Sequence, residues 1–214
     1  MDLCHVDEAG FALTLPTSRS WGPVGVPLRV PYEAPQGRRL NVIGGYFSHG
    51  PLAGTFEFAS FASLPKSRSK TAEKTLAQRA AAQDRAVEEV GVIDSEVFLA
   101  FVWHLAGRPA AAPRGWRRAR PLVVVIDNYQ AHKSDRVKAE LPHLHAADIY
   151  LFYLPAYSPE LSGIEPIWQD VKYHQLTERS HTKLGGLKQA AEMALLRKRL
   201  ELRQRAMETA RSLC

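Results

Sequence analysis

Residues 121–127 read PLVVVID, an uninterrupted apolar run that ends on Asp127. Continuous β-branched residues of this kind are typical of a strand buried on both faces of a sheet. Residues 148–155, DIYLFYLP, predict a second buried strand, and residues 136–147, RVKAELPHLHAA, predict a helix that Pro142 bends or splits. A strand, a helix and a strand in this order predict a parallel β–α–β unit.

The first half of the chain predicts strands of the antiparallel kind. Residues 3–8, LCHVDE, form a short β-prone run that ends in acids. Residues 40–50 and 55–61 alternate apolar and polar side chains, which predicts two antiparallel strands joined by a glycine turn. Residues 94–107, DSEVFLAFVWHLAG, predict a capped and buried helix that ends at its glycine. The predicted fold class is therefore α/β, with a mixed five-stranded sheet that begins as an antiparallel meander, continues as parallel strands and is flanked by helices.

Composition and charge limit the class of protein. The chain has 214 residues, of which 45% are hydrophobic and 23% are charged, and these values exclude a disordered or fibrous protein. A formal net charge of +6 and a pI near 9.4 favour a polyanionic partner. Cys4 and Cys214 stand near opposite ends of the chain, so neither a disulfide framework nor a zinc site is expected. No signal sequence or apolar membrane span is recognisable, which predicts a soluble cytoplasmic protein.

Basic segments surround the α/β pattern. Residues 64–92 are rich in Lys, Arg, Ala and Glu and predict a solvated helical insertion without a role in a site. Residues 182–214 predict a basic C-terminal helix that follows a main domain spanning 1–181. A cluster of arginines around a tryptophan predicts either a phosphate contact or a solvated loop. The arginines of this cluster are Arg114, Arg117, Arg118 and Arg120.

Three acids share one predicted setting. Asp7 ends the first predicted strand, Asp127 ends the PLVVVI strand, and Glu165 follows the loop after the last strand. Binding sites in open α/β sheets lie beyond the carboxyl ends of parallel strands. Three converging carboxylates repel one another and raise the pKa of at least one of them unless a cation is present. Oxygen ligands alone favour Mg²⁺ or Mn²⁺ over zinc.

Each acid also has a purely structural interpretation. Asp7 could begin a turn, and Asp127 with Asn128 could form an Asx turn at the strand end. Glu165 could complete a capping box with Ser162. In that arrangement Pro166 would fall at the fourth helical position, where it breaks the first intrahelical hydrogen bond. A helix that begins nearer Pro166 is therefore favoured, and it leaves Glu165 free to point elsewhere.

Neighbouring residues are candidates for contacts with a polyanion. Glu165, Trp168 and Lys172 share one helix face, which predicts that Lys172 contacts a phosphate while Trp168 packs in the core. His132 and Lys133 follow Asp127 closely. They are predicted either to contact a nucleic-acid strand or to belong to a surface turn.

Four segments resemble the DDE transposases of bacterial insertion sequences, in the branch related to mariner elements. They are DEAGF (7–11), RSWGPVGVP (19–27), VVVIDNYQAHKS (123–134) and LPAYSPELSGIEPIWQDVK (154–172). The last motif is very specific, and the 37 residues between Asp127 and Glu165 are a spacing typical of the family. The chain departs from the family at Ser162–Gly163, where Asn-Pro is common. This change is expected to alter the helix entry without affecting Glu165.

The resemblance implies a ribonuclease H-like fold in which Asp7, Asp127 and Glu165 form a metal-binding catalytic triad with two Mg²⁺ or Mn²⁺ ions. It implies cleavage of DNA at element ends and strand transfer into target DNA, by a full-length protein that is a homodimer and associates with the nucleoid. The family carries helix-turn-helix domains before the catalytic domain, whereas this chain begins six residues before Asp7. The chain is thus expected to be the catalytic domain alone.

Two other functions stay open at this point. One is a catalytically silent DNA-binding or assembly module derived from such a transposase. The other is a ribonuclease H-like nuclease that acts on RNA or hybrid duplexes.

Overall fold

Five strands and four α-helices occur in the part of the chain that this computed structural model describes, which is residues 1–13, 24, 39–62, 93–155, 158–176 and 181–212. The predicted insertion at 64–92 lies outside the described residues. The elements in chain order are β1 (Asp2–Ala12), β2 (Arg39–His49), β3 (Phe56–Ala62), α1 (Ser95–Leu105), β4 (Leu122–Ile126), α2 (Asp135–Ala146), β5 (Ile149–Tyr153), α3 (Glu165–Asp170) and α4 (Leu184–Ser212).

The five strands form one mixed sheet in the order β3-β2-β1-β4-β5. β1 is antiparallel to β2, and β2 is antiparallel to β3, whereas β4 runs parallel to both β1 and β5. This arrangement confirms the predicted meander followed by parallel strands. β1 occupies the centre, so it connects the antiparallel half of the sheet with the parallel half.

Asp7 does not end the first strand, and that prediction is wrong. β1 continues to Ala12 because residues 7–12 stay paired with β2 through a register that sets Asp7 opposite Gly44. The parallel pairing with β4 stops earlier, at His5 opposite Val125. Continuing the same register would place Asp7 beside Asp127, so Asp7 lies just past the carboxyl end of the parallel half of the sheet.

β5 is an edge strand, which corrects the prediction that it is buried. Tyr150 is 41% exposed and Phe152 is 56% exposed, whereas Ile149 is fully buried. One face of the strand meets the core and the other meets solvent. Because Tyr150 and Phe152 are large and mainly apolar although they face solvent, the sequence alone predicts a buried strand.

The sheet carries a separate hydrophobic core on each face. The first core joins β1 and β4 to α1 and α2, through residues such as Val6, Phe98 and Leu144. The second core joins the antiparallel strands to α3 and α4, and it includes Phe11, Phe56, Trp168, Leu187 and Leu195. These two layers confirm the predicted helices on both faces.

The helices of the first core begin at capping residues. The Asp94 side chain accepts hydrogen bonds from the N–H groups of Glu96 and Val97 at 3.0 and 3.1 Å, which confirms it as the N-cap of α1. Helix α2 runs without interruption through Pro142, so the predicted break is absent. Its buried residues Val137 and Leu144 lie on either side of the proline and anchor both halves of the helix to the sheet.

The C-terminal helix α4 packs against the antiparallel strands. It buries Leu187, Ala191, Ala194 and Leu195, and the Nζ atom of buried Lys198 lies 3.0 Å from an oxygen of Asp170. α4 therefore belongs to the second core. None of the described helices combines the length and the apolar character that crossing a membrane requires.

Candidate active site

An open pocket of about 460 Å³ lies where β1 passes the end of β4. Asp7, Asp127 and Glu165 all line it, together with residues of the loop that follows β5. The sheet supplies Asp7 and Asp127 from neighbouring strands, and helix α3 supplies Glu165 as its first residue. The structure therefore brings the three acids selected from the sequence to one pocket.

Asp7 lies in the most constrained environment of the three. The Trp168 indole Nε1–H donates a hydrogen bond of 3.1 Å to Asp7 Oδ2, and Trp168 itself is only 2% exposed. The pKa of Asp7 is raised to about 7, mainly because the carboxyl is buried. A backbone hydrogen bond opposes this rise, and the negative charges of Glu8, Glu165 and Asp127 add to it. The acids of the pocket thus interact electrostatically. Trp168 packs in the core, as predicted, and also orients Asp7.

Gly44 makes room for Trp168. A Cβ atom on Gly44 would lie 2.5 Å from Cη2 of the indole, closer than packed atoms approach. Gly44→Ala is therefore expected to displace Trp168 and to lower the free energy of unfolding by about 1–3 kcal/mol, which urea denaturation would measure. Gly10→Ala in β1 is the matched control, because its nearest neighbour would be an Arg39 side-chain atom at 3.8 Å. Equal stabilities of the two variants would contradict this account.

Asp127 is held by the segment that follows it. Its Oδ1 accepts a hydrogen bond of 2.9 Å from the Tyr129 N–H, as in an Asx turn, and lies 3.0 Å from His132 Nδ1. The other ring nitrogen of His132 lies 3.0 Å from Glu8 Oε1. Asp127 therefore forms the Asx turn and also lines the pocket. Asp127 is bound on one side while its side chain remains 54% exposed.

His132 bridges two carboxylates in the interior, which corrects its predicted role. Its side chain has no exposed surface and packs against Phe98 with ring centroids 4.4 Å apart, so it neither contacts DNA nor belongs to a surface turn. Burial alone would lower its pKa, but the hydrogen bond and charge of Glu8 and the charge of Asp127 raise the pKa above its ordinary value. Sequence reasoning missed Glu8, whose side chain follows Asp7 on the opposite face of β1.

Glu165 begins α3 without a capping box. The residue at the N-cap position is Ile164, no side chain caps the helix, and Pro166 falls in its first turn. The backbone N–H of Glu165 donates to the Ser162 carbonyl at 3.3 Å. These contacts confirm the helix start near Pro166, and they leave the exposed Glu165 carboxylate available to the pocket.

The predicted basic contacts separate into two groups. Lys172 lies near the acids: burial lowers its pKa, whereas the charges of Glu165 and Asp7 oppose that effect. Lys133 and Arg114 are exposed, and the exposed Arg117 pairs with Asp148 at 2.5 Å. Arg118 does not fit a phosphate contact. It is 11% exposed, lies 2.6 Å from Asp2 Oδ2 and donates to the carbonyls of residues 105 and 106.

The donor chemistry of the pocket fits a hard divalent cation. All three acids offer carboxylate oxygens, which Mg²⁺ and Mn²⁺ prefer, and the charges of Glu165 and Asp127 add to the effect of burial on the pKa of Asp7. Among the described residues, no three Asp, Glu, His or Cys side chains stand close enough together to hold a metal ion.

Comparison with known proteins places this pocket in a family. Residues 63–188 match the model of the DDE superfamily endonuclease family. No curated protein matches the chain significantly. The fold is similar to the crystal structure of the Mos1 mariner paired end complex with Mn, with a TM-score of 0.52 and 14% identity over 95% of this chain and 53% of that chain.

Two further solved structures are similar to the same extent. The mariner Mos1 paired end complex with Mg has a TM-score of 0.52 and 14% identity, over 99% of this chain and 55% of that one. The Mos1 Strand Transfer Complex has a TM-score of 0.50 and 15% identity, over 95% and 52%. The chain spans about half the length of the solved structures it matches.

The sequence match and the fold agree. The matched residues 63–188 include Asp127 and Glu165, and Asp7 precedes them on the strand that adjoins Asp127. At this level of identity the solved structures establish the ribonuclease H-like architecture of the sheet and its helices. Because the family match covers more than half of its length, this chain belongs to the DDE superfamily of endonucleases.

Proposed function

We propose that this chain is the catalytic domain of a DDE transposase, an enzyme that cleaves DNA strands with a divalent metal ion and joins them to target DNA. The observation that carries the proposal is that Asp7, Asp127 and Glu165 line one common pocket in a chain of this family. The similar Mos1 structures are described as paired end complexes with Mn or Mg and as a strand transfer complex. Mg²⁺ or Mn²⁺, bound as two ions by these acids, is part of the proposal.

The proposed reaction develops negative charge on the attacking and leaving oxygens, and the acids of the pocket would hold the cations that offset it. Water attacks the phosphorus atom and the P–O3′ bond breaks, which leaves a 3′-hydroxyl that later attacks target DNA at the same site. Metal ions held by Asp7, Asp127 and Glu165 would lower the pKa of the attacking water and would stabilise the charge on the attacking and leaving oxygens. The hydrogen bond from Trp168 to Asp7, and those of Tyr129 and His132 with Asp127, fix one oxygen of each carboxylate. The chain thus orients two acids before substrate binds.

A second cavity, next to the pocket of the acids, is suited to bind a DNA phosphate. A cavity of about 540 Å³ is lined by Glu165, Trp168 and Lys172, and it shares Glu165 with the pocket of the acids. A lysine at this position provides a positive charge for a phosphate close to the point of cleavage. We assign Lys172 this contact, and we assign weaker phosphate contacts to the exposed Lys133, Arg114 and Arg117.

The proposal extends to the assembly. We infer that residues 1–181 supply the catalytic unit and that α4, within the remaining segment 182–214, completes its second core. In the full-length protein, a homodimer acting on element ends and target DNA at the nucleoid is the arrangement we favour. The basic net charge of +6 supports a polyanionic partner.

Comparison of substrates tests the proposed function. In Mn²⁺ the chain is expected to nick a labelled DNA duplex and to leave a 3′-hydroxyl end, and EDTA should abolish the reaction. An RNA–DNA hybrid of the same sequence should be cut much more slowly. Preferential cutting of the RNA strand would favour a ribonuclease H-like nuclease instead. Metal-independent DNA binding without any nicking would favour a silent assembly module.

A further inference from the structure

His5 connects the two elements that carry Asp7 and Glu165. It lies on β1 two positions before Asp7, so the alternation of strand side chains places both residues on the same face of the sheet. Its side chain is 9% exposed. The Gly163 backbone N–H, two positions before Glu165, donates a hydrogen bond of 3.1 Å to His5 Nδ1.

The hydrogen bonds of His5 define its tautomer. Because Nδ1 accepts from Gly163, it carries no proton, and the proton of the neutral ring is on Nε2. Nε2 then donates to the Ser48 hydroxyl at 3.1 Å. The ring is thus fixed at both ends, between strand β2 on one side and the backbone that leads into α3 on the other.

The approach of the two segments depends on a glycine. A Cβ atom on Gly163 would lie 3.0 Å from Cδ2 and 3.1 Å from Nε2 of the imidazole. A larger residue would therefore push the segment away from β1. A proline would also remove the N–H that His5 binds. Gly163 and His5 are matched to each other in both shape and hydrogen bonding.

We propose that His5 is a positioning residue that holds Glu165 opposite Asp7 by binding the backbone of Gly163. The inference rests on the proposed function of the pocket, because it concerns the assembly of that site. Helix α3 has no side-chain cap, so contacts from outside the helix hold its first turn. The contact with His5 is a tether from the start of the helix to the strand of Asp7. The distance between the acids, and hence their affinity for a cation, should depend on it.

Two substitutions of His5 separate the tether from the rest of the ring. The side-chain oxygen of Asn takes the place of Nδ1, so His5→Asn can keep the bond to Gly163. The terminal amide of Gln takes the place of Nε2, so His5→Gln can keep the bond to Ser48 and loses the tether. Ser48→Ala is the matched control, because it removes only the other hydrogen bond.

Calorimetric titration of the full chain with Mn²⁺ alone is the test, and melting temperatures in EDTA verify that each variant folds. His5→Gln is expected to bind Mn²⁺ about tenfold more weakly, as is typical when a supporting contact of a metal site is lost. His5→Asn and Ser48→Ala should bind within about twofold of the parent. Parental affinity in His5→Gln, or equal losses in His5→Gln and His5→Asn, would overturn the proposal.

Gly163→Pro removes the N–H donor of the same hydrogen bond. It replaces His5→Gln as the test if His5→Gln does not fold. It is expected to weaken Mn²⁺ binding at least as much, and parental affinity would overturn the tether. Asp127→Ala distinguishes a failure of the proposed metal site from a failure of the tether alone. A parent that binds Mn²⁺ no better than Asp127→Ala would overturn the proposed function, and the tether with it. Lost binding in Asp127→Ala together with parental binding in His5→Gln would overturn the tether alone.

Discussion

Alanine at Glu165 is expected to reduce metal-dependent DNA nicking by at least about 100-fold, more than the loss typical of residues that only support a metal site. Glu165 is exposed at the start of α3 and shares its pocket with Asp7 and Asp127. Its loss removes a ligand and leaves a cation bound by one side of the pocket only. Asp7→Ala and Asp127→Ala should have effects of the same size. A gel assay with a labelled duplex in Mn²⁺ would measure the nicking rate.

Glu160→Ala provides a matched control for this prediction. Glu160 is an exposed acid that lines the neighbouring cavity together with Glu165, so its removal changes the local charge by the same amount. Its nicking rate should stay within about threefold of the parent, since it does not line the pocket of the three acids. Equal rates for Glu160→Ala and Glu165→Ala would show that charge near the pocket, and not ligation, controls the reaction.

Local patterns were sufficient to predict the sheet. PLVVVI gave β4 because β-branched residues without polar interruption fit only a strand covered on both faces. The position of Pro166 indicated the start of α3, since the first turn is where a helix best tolerates a proline, whose missing N–H has no intrahelical partner there. Both predictions concern contacts within a few residues of the chain, where sequence patterns are most informative.

Contacts between distant residues explain the predictions that were wrong. The segment QAHK reads as a polar surface turn, yet His132 is fully buried because Glu8, 124 positions away, bonds its Nε2 atom. Arg118 reads as a phosphate contact, yet Asp2 binds its guanidinium across 116 positions. The hydrogen bond between Gly163 and His5 likewise joins residues 158 positions apart, so the motif around Gly163 could not reveal it.

Replacement of Asp7 by Asn should stabilise the metal-free protein and abolish its stabilisation by metal. The folded protein binds the Asp7 proton more tightly than the unfolded chain does, because the pKa rises from 3.8 to about 7. The cost of the charged form is therefore absent below pH 4 and complete above pH 7, so stability in EDTA falls as pH rises between these values. Asn removes that cost, and its side-chain oxygen can still accept the hydrogen bond of Trp168. We expect a gain of about 2 kcal/mol at pH 8, after allowance for solvent screening.

Melting curves in EDTA and in Mn²⁺ would measure both effects of Asp7→Asn. In EDTA at pH 8 the variant should melt about 5 °C above the parent, and the difference should disappear near pH 4. A cation at a hundredfold excess over its dissociation constant adds about 2.7 kcal/mol to the parent, so Mn²⁺ should reverse the order of the two melting temperatures. Asp135→Asn is the control, since that carboxylate is 98% exposed and pairs only with Lys138 among the described residues. If Asp7→Asn and Asp135→Asn respond to Mn²⁺ as the parent does, Asp7 is not a ligand, because removal of a ligand must weaken binding of the cation that it holds.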